Sequence, residues 1–232
     1  MTISRKNIVL IPAAGIGSRM KTKVEKPLIK LANSPILIHT LKAIDNCKFI
    51  DEIILIVNPR KFIFWKKELK NYNFRTPLKI IKGGKRRQDS VYNGVKFLKK
   101  NTDIVLIHDG VRPFISSTII KQGTEMAKKY GVSIPAVKIK PTVKEINSRN
   151  LVVKTLQRKN LREIQTPQCF QYKILKECLK SNLDEVTDEA TLAEHLGFKV
   201  KVFPGSYDNI KITTSEDLIL AEAILKKRTK GK

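Results

Sequence analysis

Short apolar runs rich in β-branched residues alternate along the chain with segments in which apolar residues recur every three or four positions. The first pattern is typical of strands and the second of amphipathic helices. Residues 53–57 form a continuous apolar run, as expected for a parallel strand that is buried on both faces. The alternation predicts an α/β fold, with a mostly parallel, twisted sheet and helices on both faces. The predicted strands are 7–12, 52–57, 78–82, 103–108 and 132–137, and the predicted helices lie near 35–46, 60–72, 87–100 and 116–130.

The pattern changes between about 138 and 160, where two polar-alternating strands flank a turn at 147–150. A hairpin that buries so little by itself is expected to protrude as an arm and to lie against something else, often a second subunit. No internal repeat or second boundary interrupts the chain, which predicts a single domain over residues 1–232. The remaining predicted elements are helices at 171–181 and 188–196, a strand at 199–203 and a helix from Ser215 to about Lys227.

Several positions carry signals for helix ends. Hydroxyl side chains that precede apolar-periodic segments predict N-caps, and a glycine after such a segment predicts its end. The predicted N-caps are Ser34 (before Pro35), Ser116 or Ser117, and Thr187, and the predicted stop is Gly197.

Composition narrows the class of protein. The chain has 232 residues, of which 41% are hydrophobic, and this suits one globular core. No apolar run reaches the roughly 20 residues of a membrane span, and the N-terminus carries no signal-peptide pattern, so a cytoplasmic location without a membrane partner is expected. Cys47, Cys169 and Cys178 are odd in number and widely spaced, which predicts neither a disulfide framework nor a zinc site.

The charge is strongly positive, with 46 Lys and Arg against 21 Asp and Glu and a formal net charge of +25. Such a balance raises nucleic-acid binding as one hypothesis. However, the lysines are spread over most predicted elements, and the chain has no basic tail and no basic strip with interleaved aromatic residues. The pattern favours an anionic small-molecule substrate over nucleic acid, and a nucleic-acid-binding or regulatory protein is the alternative from another class.

The end of the first predicted strand is rich in small residues. Glycines there let the backbone turn tightly and approach a ligand closely, so that backbone N–H groups can face phosphate oxygens. Two cations, Arg19 and Lys26, follow the loop, while Met20 stands where the third glycine of a dinucleotide fingerprint would lie. We therefore expect a nucleotide phosphate site rather than a dinucleotide site. The small residues of this loop are Ala13, Ala14, Gly15 and Gly17.

Two further segments carry candidate chemistry. Asp109 and Arg112 follow the predicted strand 103–108, and therefore lie at the edge of the sheet where ligands bind in open α/β folds. Asp109 could hold Mg²⁺ and Arg112 could bind an oxyanion, whereas His108 is interpreted as a packed histidine. Asp208 and Lys211 could supply a second metal contact and a second phosphate contact, or could be an ordinary polar strand end.

Taken together, these segments resemble the family of 2-C-methyl-D-erythritol 4-phosphate cytidylyltransferases. The matching pieces run in family order over about residues 8–225. Several motifs in order are far more specific than one glycine pair. They are residues 13–20, 83–84 with Arg87, 89–91, 93–94, 108–109, 111–113, 165–168, 187–190 and 208–213.

The resemblance implies a Rossmann-like nucleotidyltransferase fold, CTP as a substrate, Mg²⁺ as the cofactor, and a homodimer in which the arm reaches into the partner's site. Ribitol-5-phosphate cytidylyltransferase, a sister family, is the alternative for the second substrate. The implied nucleotide contacts are Ala13, Ala14, Gly15, Gly17, Gly84, Ser90 and Asp109. The implied catalytic residues are Arg19, Lys26, Arg158 and Lys211. The implied substrate contacts are Asp109, Arg112, Thr142, Arg158, Thr166 and Lys211, and the candidate metal ligands are Asp109 and Asp208.

The chain departs from the family pattern on both sides of Lys26, just after Gly84 and Asp109, and near the arm. The departures beside Lys26 concern the path of the loop that carries it, and the departures as a whole concern the details of substrate binding more than the chemistry. The residues that differ from the usual ones are Glu25, Pro27, Lys85, Gly110, Pro141 and Gln157.

Overall fold

The computed structural model describes residues 5–15, 25–181, 186 and 188–230. The strands are β1 (Lys6–Ala13), β2 (Lys30–Leu31), β3 (Ser34–Pro35), β4 (Glu52–Val57), β5 (Leu78–Lys82), β6 (Thr102–Ile107), β7 (Val132–Lys138), β8 (Lys144–Ile146), β9 (Val152–Thr155), β10 (Arg162–Ile164), β11 (Gln168–Gln171) and β12 (Val200–Pro204). The helices are α1 (Ile36–Asp45), α2 (Phe62–Glu68), α3 (Arg87–Val95), α4 (Ser117–Tyr130), α5 (Tyr172–Cys178), α6 (Glu189–His195) and α7 (Ser215–Lys230).

The central sheet has the strand order β10-β7-β11-β6-β1-β4-β5, and β12 pairs with β7. Pairing is parallel between β1 and its neighbours β4 and β6, between β4 and β5, and between β7 and β12. This arrangement confirms the predicted α/β fold with a mostly parallel sheet. The β1 strand lies between β4 and β6, with Ile8 opposite both Glu52 and Val105.

Both faces of the sheet are covered by helices, as the continuous apolar runs predicted. Because successive side chains of a strand point to opposite faces, Val9 and Ile11 pack into one core while Ile8 and Leu10 pack into the other. The first core also receives apolar side chains of α1, α2 and α4, including Trp65. The second receives those of α3, α5 and α6. The carboxyl ends of the parallel strands are thereby left to form a site.

Two antiparallel strands of the central sheet were not predicted. The strands β10 and β11 are only three and four residues long, and two residues of each are polar. β11 lies between β6 and β7 and runs antiparallel to both. This insertion moves β7 one place outward from β6, and it brings the segment just before β11 to the edge of the sheet at which β6 ends.

The predicted helix ends were tested at three positions. Ser116 caps α4, since its side chain accepts a hydrogen bond from the Ile119 N–H. Gly197 follows α6 with a positive φ of 77°, which confirms the predicted stop. The prediction for Ser34 was wrong, because Ser34 belongs to β3, which pairs with β2, and Pro35 occupies the capping position of α1. Thr187 lies outside the described residues.

The predicted arm is a two-stranded antiparallel ribbon of β8 and β9. All seven residues of the two strands are exposed. Leu151, Val152 and Val153 each expose about 60% of their surface, and Ile146 exposes 53%. The hairpin turn is organised by Asn147, whose Oδ1 accepts from the Arg149 and Leu151 N–H groups. The ribbon therefore presents apolar side chains that the described part of this chain does not cover.

A membrane span is not found among the described residues, since no helix there is both long and apolar enough to cross a bilayer.

Candidate functional site

A cleft of about 270 Å³ opens at the carboxyl ends of β1, β5 and β6. Its described walls carry five cationic side chains and one carboxylate. This is an environment for an anionic ligand rather than for a neutral one. The lining residues are Pro12, Ala13, Ala14, Gly15, Lys26, Pro27, Gly84, Lys85, Arg86, Arg87, Ser90, Asp109, Gly110, Val111, Lys211 and Thr213.

The loop after β1 packs closely on the loop after β5. A Cβ added to Gly83 would lie 2.6 Å from the Cβ of Ala14, and one added to Gly84 would lie 2.3 Å from the Cβ of Asp89. The Gly84 N–H donates to Ser90 Oγ at 3.0 Å, and this fixes the second loop on the start of α3. The structure thus brings six predicted nucleotide contacts together at the cleft: Ala13, Ala14, Gly15, Gly84, Ser90 and Asp109. Gly17 and Arg19 lie outside the described residues.

Lys26 lines the cleft despite its unusual neighbours. It begins a short 3-10 turn, Lys26–Leu28, in which Pro27 takes a first-turn position that proline favours. Before the turn, Glu25 is extended, and its Oε1 accepts a hydrogen bond from Asn58 Nδ2 at 2.8 Å. Glu25 and Pro27 therefore anchor and shape the turn, and the departures from the family pattern leave Lys26 at the cleft.

Asp109 is the buried centre of charge in the cleft. Its Oδ2 lies 3.1 Å from Lys211 Nζ and 3.1 Å from Arg112 Nε, and its Oδ1 lies 3.9 Å from Arg87 Nη2. Burial alone would raise the pKa of this carboxyl, but the three cations outweigh burial and hold the pKa well below its ordinary value. Asp109 is therefore ionised at neutral pH and fixes the cations around it.

His108 is a structural histidine, as interpreted from the sequence. Its Nε2 lies 3.1 Å from the Arg112 carbonyl oxygen, which can only accept, so Nε2 carries the proton and Nδ1 accepts from the Thr166 hydroxyl at 2.9 Å. Burial lowers the pKa of His108 to about 4, which keeps the imidazole neutral. Thr166 Oγ1 in turn accepts from the Asp109 N–H at 3.1 Å. Thr166 thus acts on the cleft by orienting the backbone of Asp109.

Arg112 is buried behind Asp109 and is not one of the lining residues. Its Nε donates to Asp109, and its Nη1 donates to the Asn209 carbonyl oxygen at 2.8 Å. These bonds direct the guanidinium toward protein groups instead of toward the open cleft. Its observed contacts hold the segment that carries Lys211 against the end of β6.

Sequence patterns predict no role for Arg87 or Glu189. Arg87 Nη1 lies 2.6 Å and 2.7 Å from the two carboxylate oxygens of Glu189, whose side chain is 1% exposed. Burial raises the pKa of Glu189, and Arg87 offsets part of this effect. The only signal in the sequence was that both residues fall in segments that match the family. Their pairing could not be predicted because they are 102 positions apart.

Besides Arg112 and Thr166, three further predicted site residues do not line the cleft. Thr142 and Arg158 are exposed near the base of the arm, where the Arg158 guanidinium donates to the Lys140 carbonyl oxygen. Asp208 is half-buried and is likewise not among the lining residues. Among the described residues, no group of three or more His, Cys, Asp and Glu side chains could hold a metal ion. The donor set therefore fits only a magnesium site in which Asp109 supplies one carboxylate and the ligand supplies other oxygens.

The sequence matches the family model described as 2-C-methyl-D-erythritol 4-phosphate cytidylyltransferase over residues 7–227. A relative with that description from Clostridium botulinum (strain Langeland) is 44% identical over 227 residues, which cover 97% of this chain and 99% of the relative. Another from Clostridium perfringens (strain SM101) is 44% identical and covers 95% and 99% of the two chains.

Solved structures agree with the sequence relatives. The 4-diphosphocytidyl-2C-methyl-D-erythritol synthase of Anaerococcus prevotii superposes with a TM-score of 0.84 at 35% identity, over 96% of each chain. The 2-C-methyl-D-erythritol 4-phosphate cytidylyltransferase of Francisella tularensis superposes with a TM-score of 0.77 at 35% identity, over 94% of this chain and 99% of that one.

Proposed function

Since the chain belongs to the 2-C-methyl-D-erythritol 4-phosphate cytidylyltransferase family, we propose that it transfers CMP from CTP to 2-C-methyl-D-erythritol 4-phosphate. The products are 4-diphosphocytidyl-2-C-methyl-D-erythritol and pyrophosphate, and the reaction serves isoprenoid precursor synthesis in the cytoplasm. The observation that carries the proposal is the cleft itself. Small residues after β1 leave room for a polyphosphate, and Lys26, Arg87 and Lys211 line its walls.

The reaction needs charge stabilisation more than proton transfer. A phosphate monoester oxygen of the sugar phosphate attacks the α-phosphorus of CTP, a new P–O bond forms, and the bond to the departing pyrophosphate breaks. The attacking oxygen is already ionised near neutral pH, so no general base is needed. This agrees with a site in which His108 is buried, neutral and bonded to protein groups.

The cations of the cleft supply the catalysis in this proposal. Lys26 and Lys211 stabilise negative charge that develops on the phosphoryl oxygens and the leaving group, together with Arg19. Asp109 keeps Lys211 in place at 3.1 Å before the nucleotide binds. The loop of Ala13, Ala14 and Gly15 positions the nucleotide, so alignment is set by backbone rather than by flexible side chains.

Magnesium enters the proposal through the nucleotide. When bound with CTP, Mg²⁺ neutralises part of the phosphate charge. Asp109 is the carboxylate of the cleft that would hold it, and three cations near this carboxylate oppose metal binding until the triphosphate is present. Calorimetry is therefore expected to show Mg²⁺ binding to the CTP complex and none to the free protein. Tight binding to the free protein would contradict this assignment.

The arm makes the proposed active unit a homodimer. The exposed apolar side chains of the ribbon are a surface that a second copy would cover, and an arm in that position carries Thr142 and Arg158 toward the partner's cleft. The second substrate would then be held between two chains. This accounts for the distance of Arg158 and Thr142 from the lining residues of their own chain.

Pyrophosphate release tests the activity. With CTP and Mg²⁺, we expect release that depends on 2-C-methyl-D-erythritol 4-phosphate, with ribitol 5-phosphate run in parallel as the substrate of the alternative family. A higher kcat/KM for ribitol 5-phosphate would assign the chain to the alternative reaction. Release with neither sugar phosphate would refute cytidylyl transfer by this chain.

Subunit mixing tests the shared site. Lys26→Ala inactivates a chain's own cleft, whereas Arg158→Ala is expected to damage the partner's cleft. Mixed dimers of the two inactive variants should therefore regain about a quarter to a half of wild-type activity, because one cleft in each heterodimer is intact. Light scattering should show a dimer. An active wild-type monomer, or mixtures that stay inactive despite subunit exchange, would contradict the proposal.

A further inference from the structure

Glu189 is a fully buried carboxylate whose partner reaches the cleft. It is the first residue of α6, and the start of this helix is fixed from two sides. The Asp188 side chain caps it by accepting from the Thr191 N–H at 2.9 Å. Gln168 of β11 donates to Asp188 Oδ2 and accepts from the Ala190 N–H. The carboxylate of Glu189 is therefore held by the sheet and the helix and has little freedom to move.

Arg87 carries the influence of Glu189 into the cleft. Its Nη1 is 2.6 Å and 2.7 Å from the two Glu189 oxygens, while its Nη2 lies 3.9 Å from Asp109 Oδ1. The Arg87 side chain is 34% exposed and lines the cleft together with Ser90 and Asp109. Glu189 thus holds one nitrogen of the guanidinium, and the other terminal nitrogen faces Asp109 at the cleft.

The contact between Glu189 and Arg87 fixes the position of the guanidinium before an anionic ligand binds. An arginine on a surface keeps several rotamers and loses their entropy when it binds phosphate. A buried carboxylate that fixes the guanidinium beforehand removes this cost, which is the advantage of a preorganised site. A buried charge pair is also a weak source of stability, so its presence at the cleft calls for a functional reason.

We propose that Arg87 is a nucleotide-binding residue and that Glu189 is its positioning residue, which holds the guanidinium ready for the phosphates of CTP. The inference rests on the proposed function. In this proposal Arg87 contacts CTP, and its contribution to CTP affinity depends on Glu189.

A double-mutant cycle measured by calorimetry with CTP and Mg²⁺ tests the coupling. Arg87→Gln removes a charge-assisted contact and should weaken CTP binding about 10- to 100-fold. Glu189→Gln should weaken it about 10-fold or more, although the residue does not touch the ligand. The double variant should bind no more weakly than Arg87→Gln alone, because Glu189 acts only through Arg87. Glu194→Gln, at an exposed position of the same helix, is the matched control and should bind as wild type does.

The steady-state readout is the ratio of the two KM values. The KM for CTP should rise in Glu189→Gln while the KM for the sugar phosphate changes less than twofold, which general damage to the fold would not produce. Glu189→Asp keeps the charge and shortens the side chain, so it tests position if Glu189→Gln does not fold. Independent, multiplying losses in the double variant would overturn the inference, as would normal CTP binding by a folded Glu189 variant. If the wild-type chain itself does not bind CTP, the proposed function fails instead.

Discussion

Replacing Asp109 by asparagine tests the charge arrangement at the centre of the cleft. The substitution keeps the size of the side chain and removes the charge that faces Lys211, Arg112 and Arg87. Arg112 is as buried as Asp109, with 8% of its side chain exposed, so it would be left as a buried cation without its counter-charge. Lys211 and Arg87 expose 39% and 34% and can recruit water.

The magnitude follows from this difference in burial. Removing one partner of a buried ion pair costs about 3–5 kcal/mol, and only one of the three cations is fully buried, so we expect the lower end, about 3 kcal/mol. For a chain of this length such a loss lowers Tm by about 6–12 °C. Trp65 is the single tryptophan and is fully buried, so its fluorescence reports urea unfolding of the main core.

Asp103→Asn is the matched control. Asp103 also faces two cations, Arg5 and Lys128, but these expose 79% and 50% of their side chains. Exposed pairs contribute about 0–1 kcal/mol, so this variant should lose less than about 1 kcal/mol. If the two variants lost equal amounts of unfolding free energy, with the slope of that free energy against urea concentration unchanged, the view that Asp109 organises buried charge would be refuted.

The effect of Asp109 should also depend on pH in one direction. The pKa of its carboxyl is lower in the folded chain than in the unfolded chain. The contribution of Asp109 to the free energy of unfolding is therefore complete above the unfolded pKa of about 4, and it is lost as the pH falls below that value toward the folded pKa. The stability gap between wild type and Asp109→Asn should be constant from pH 5 to 8 and should narrow in acid. A gap that widens as the pH falls below 4 would contradict this sign.

Three further outcomes are expected. Lys26→Ala should lower single-turnover rates roughly 10²–10³-fold, the usual loss for one preorganised transition-state contact, while Lys99→Ala on the exposed surface should leave the rates unchanged. Gly84→Ala should raise the KM for CTP about 10-fold or more and lower Tm, because the added Cβ would lie 2.3 Å from the Cβ of Asp89; an unchanged KM would show that this loop does not touch the nucleotide. Cys47, Cys169 and Cys178 are buried and free, and burial raises the thiol pKa in each, to about 11 for Cys178; a thiol reagent should therefore react with none of them in minutes at pH 8 and with all three in urea.

Sequence patterns predicted the part of the fold that depends on continuous burial. The strands β1, β4, β5, β6 and β7 were predicted correctly, because apolar runs that alternate with amphipathic helices indicate the buried strands of a parallel sheet. The short strands β10 and β11 were missed, since three or four residues give too few positions to show a period. Ser34 was predicted to cap a helix because a hydroxyl residue before proline is a common N-cap. In the structure its backbone pairs with Leu31 of β2, so Ser34 is a strand residue instead.

The site was predictable in its loops and not in its buried contacts. The small residues after β1 follow a strand end and reach the cleft, as do Lys26 and Lys211 from the loops that carry them. Arg112 was expected to bind an anion, yet its observed contacts are with Asp109 and Asn209. Which partner a side chain contacts depends on distances in the folded chain, and a single sequence does not specify these distances. The same limit hid the pair of Arg87 and Glu189.

Long-range contacts around Asp109 also bear on how the chain folds. The Asp109 N–H meets Thr166 across 57 positions, and Arg112 meets Asn209 across 97. Closing loops of such length costs chain entropy that is recovered only when the sheet is nearly complete, so the cleft is expected to be among the last parts to form. A partly folded chain would therefore not bind CTP. Because the nucleotide would bind only the fully folded chain, it would stabilise the whole native state against global unfolding. Return of CTP binding during refolding would then mark the end of folding rather than its progress.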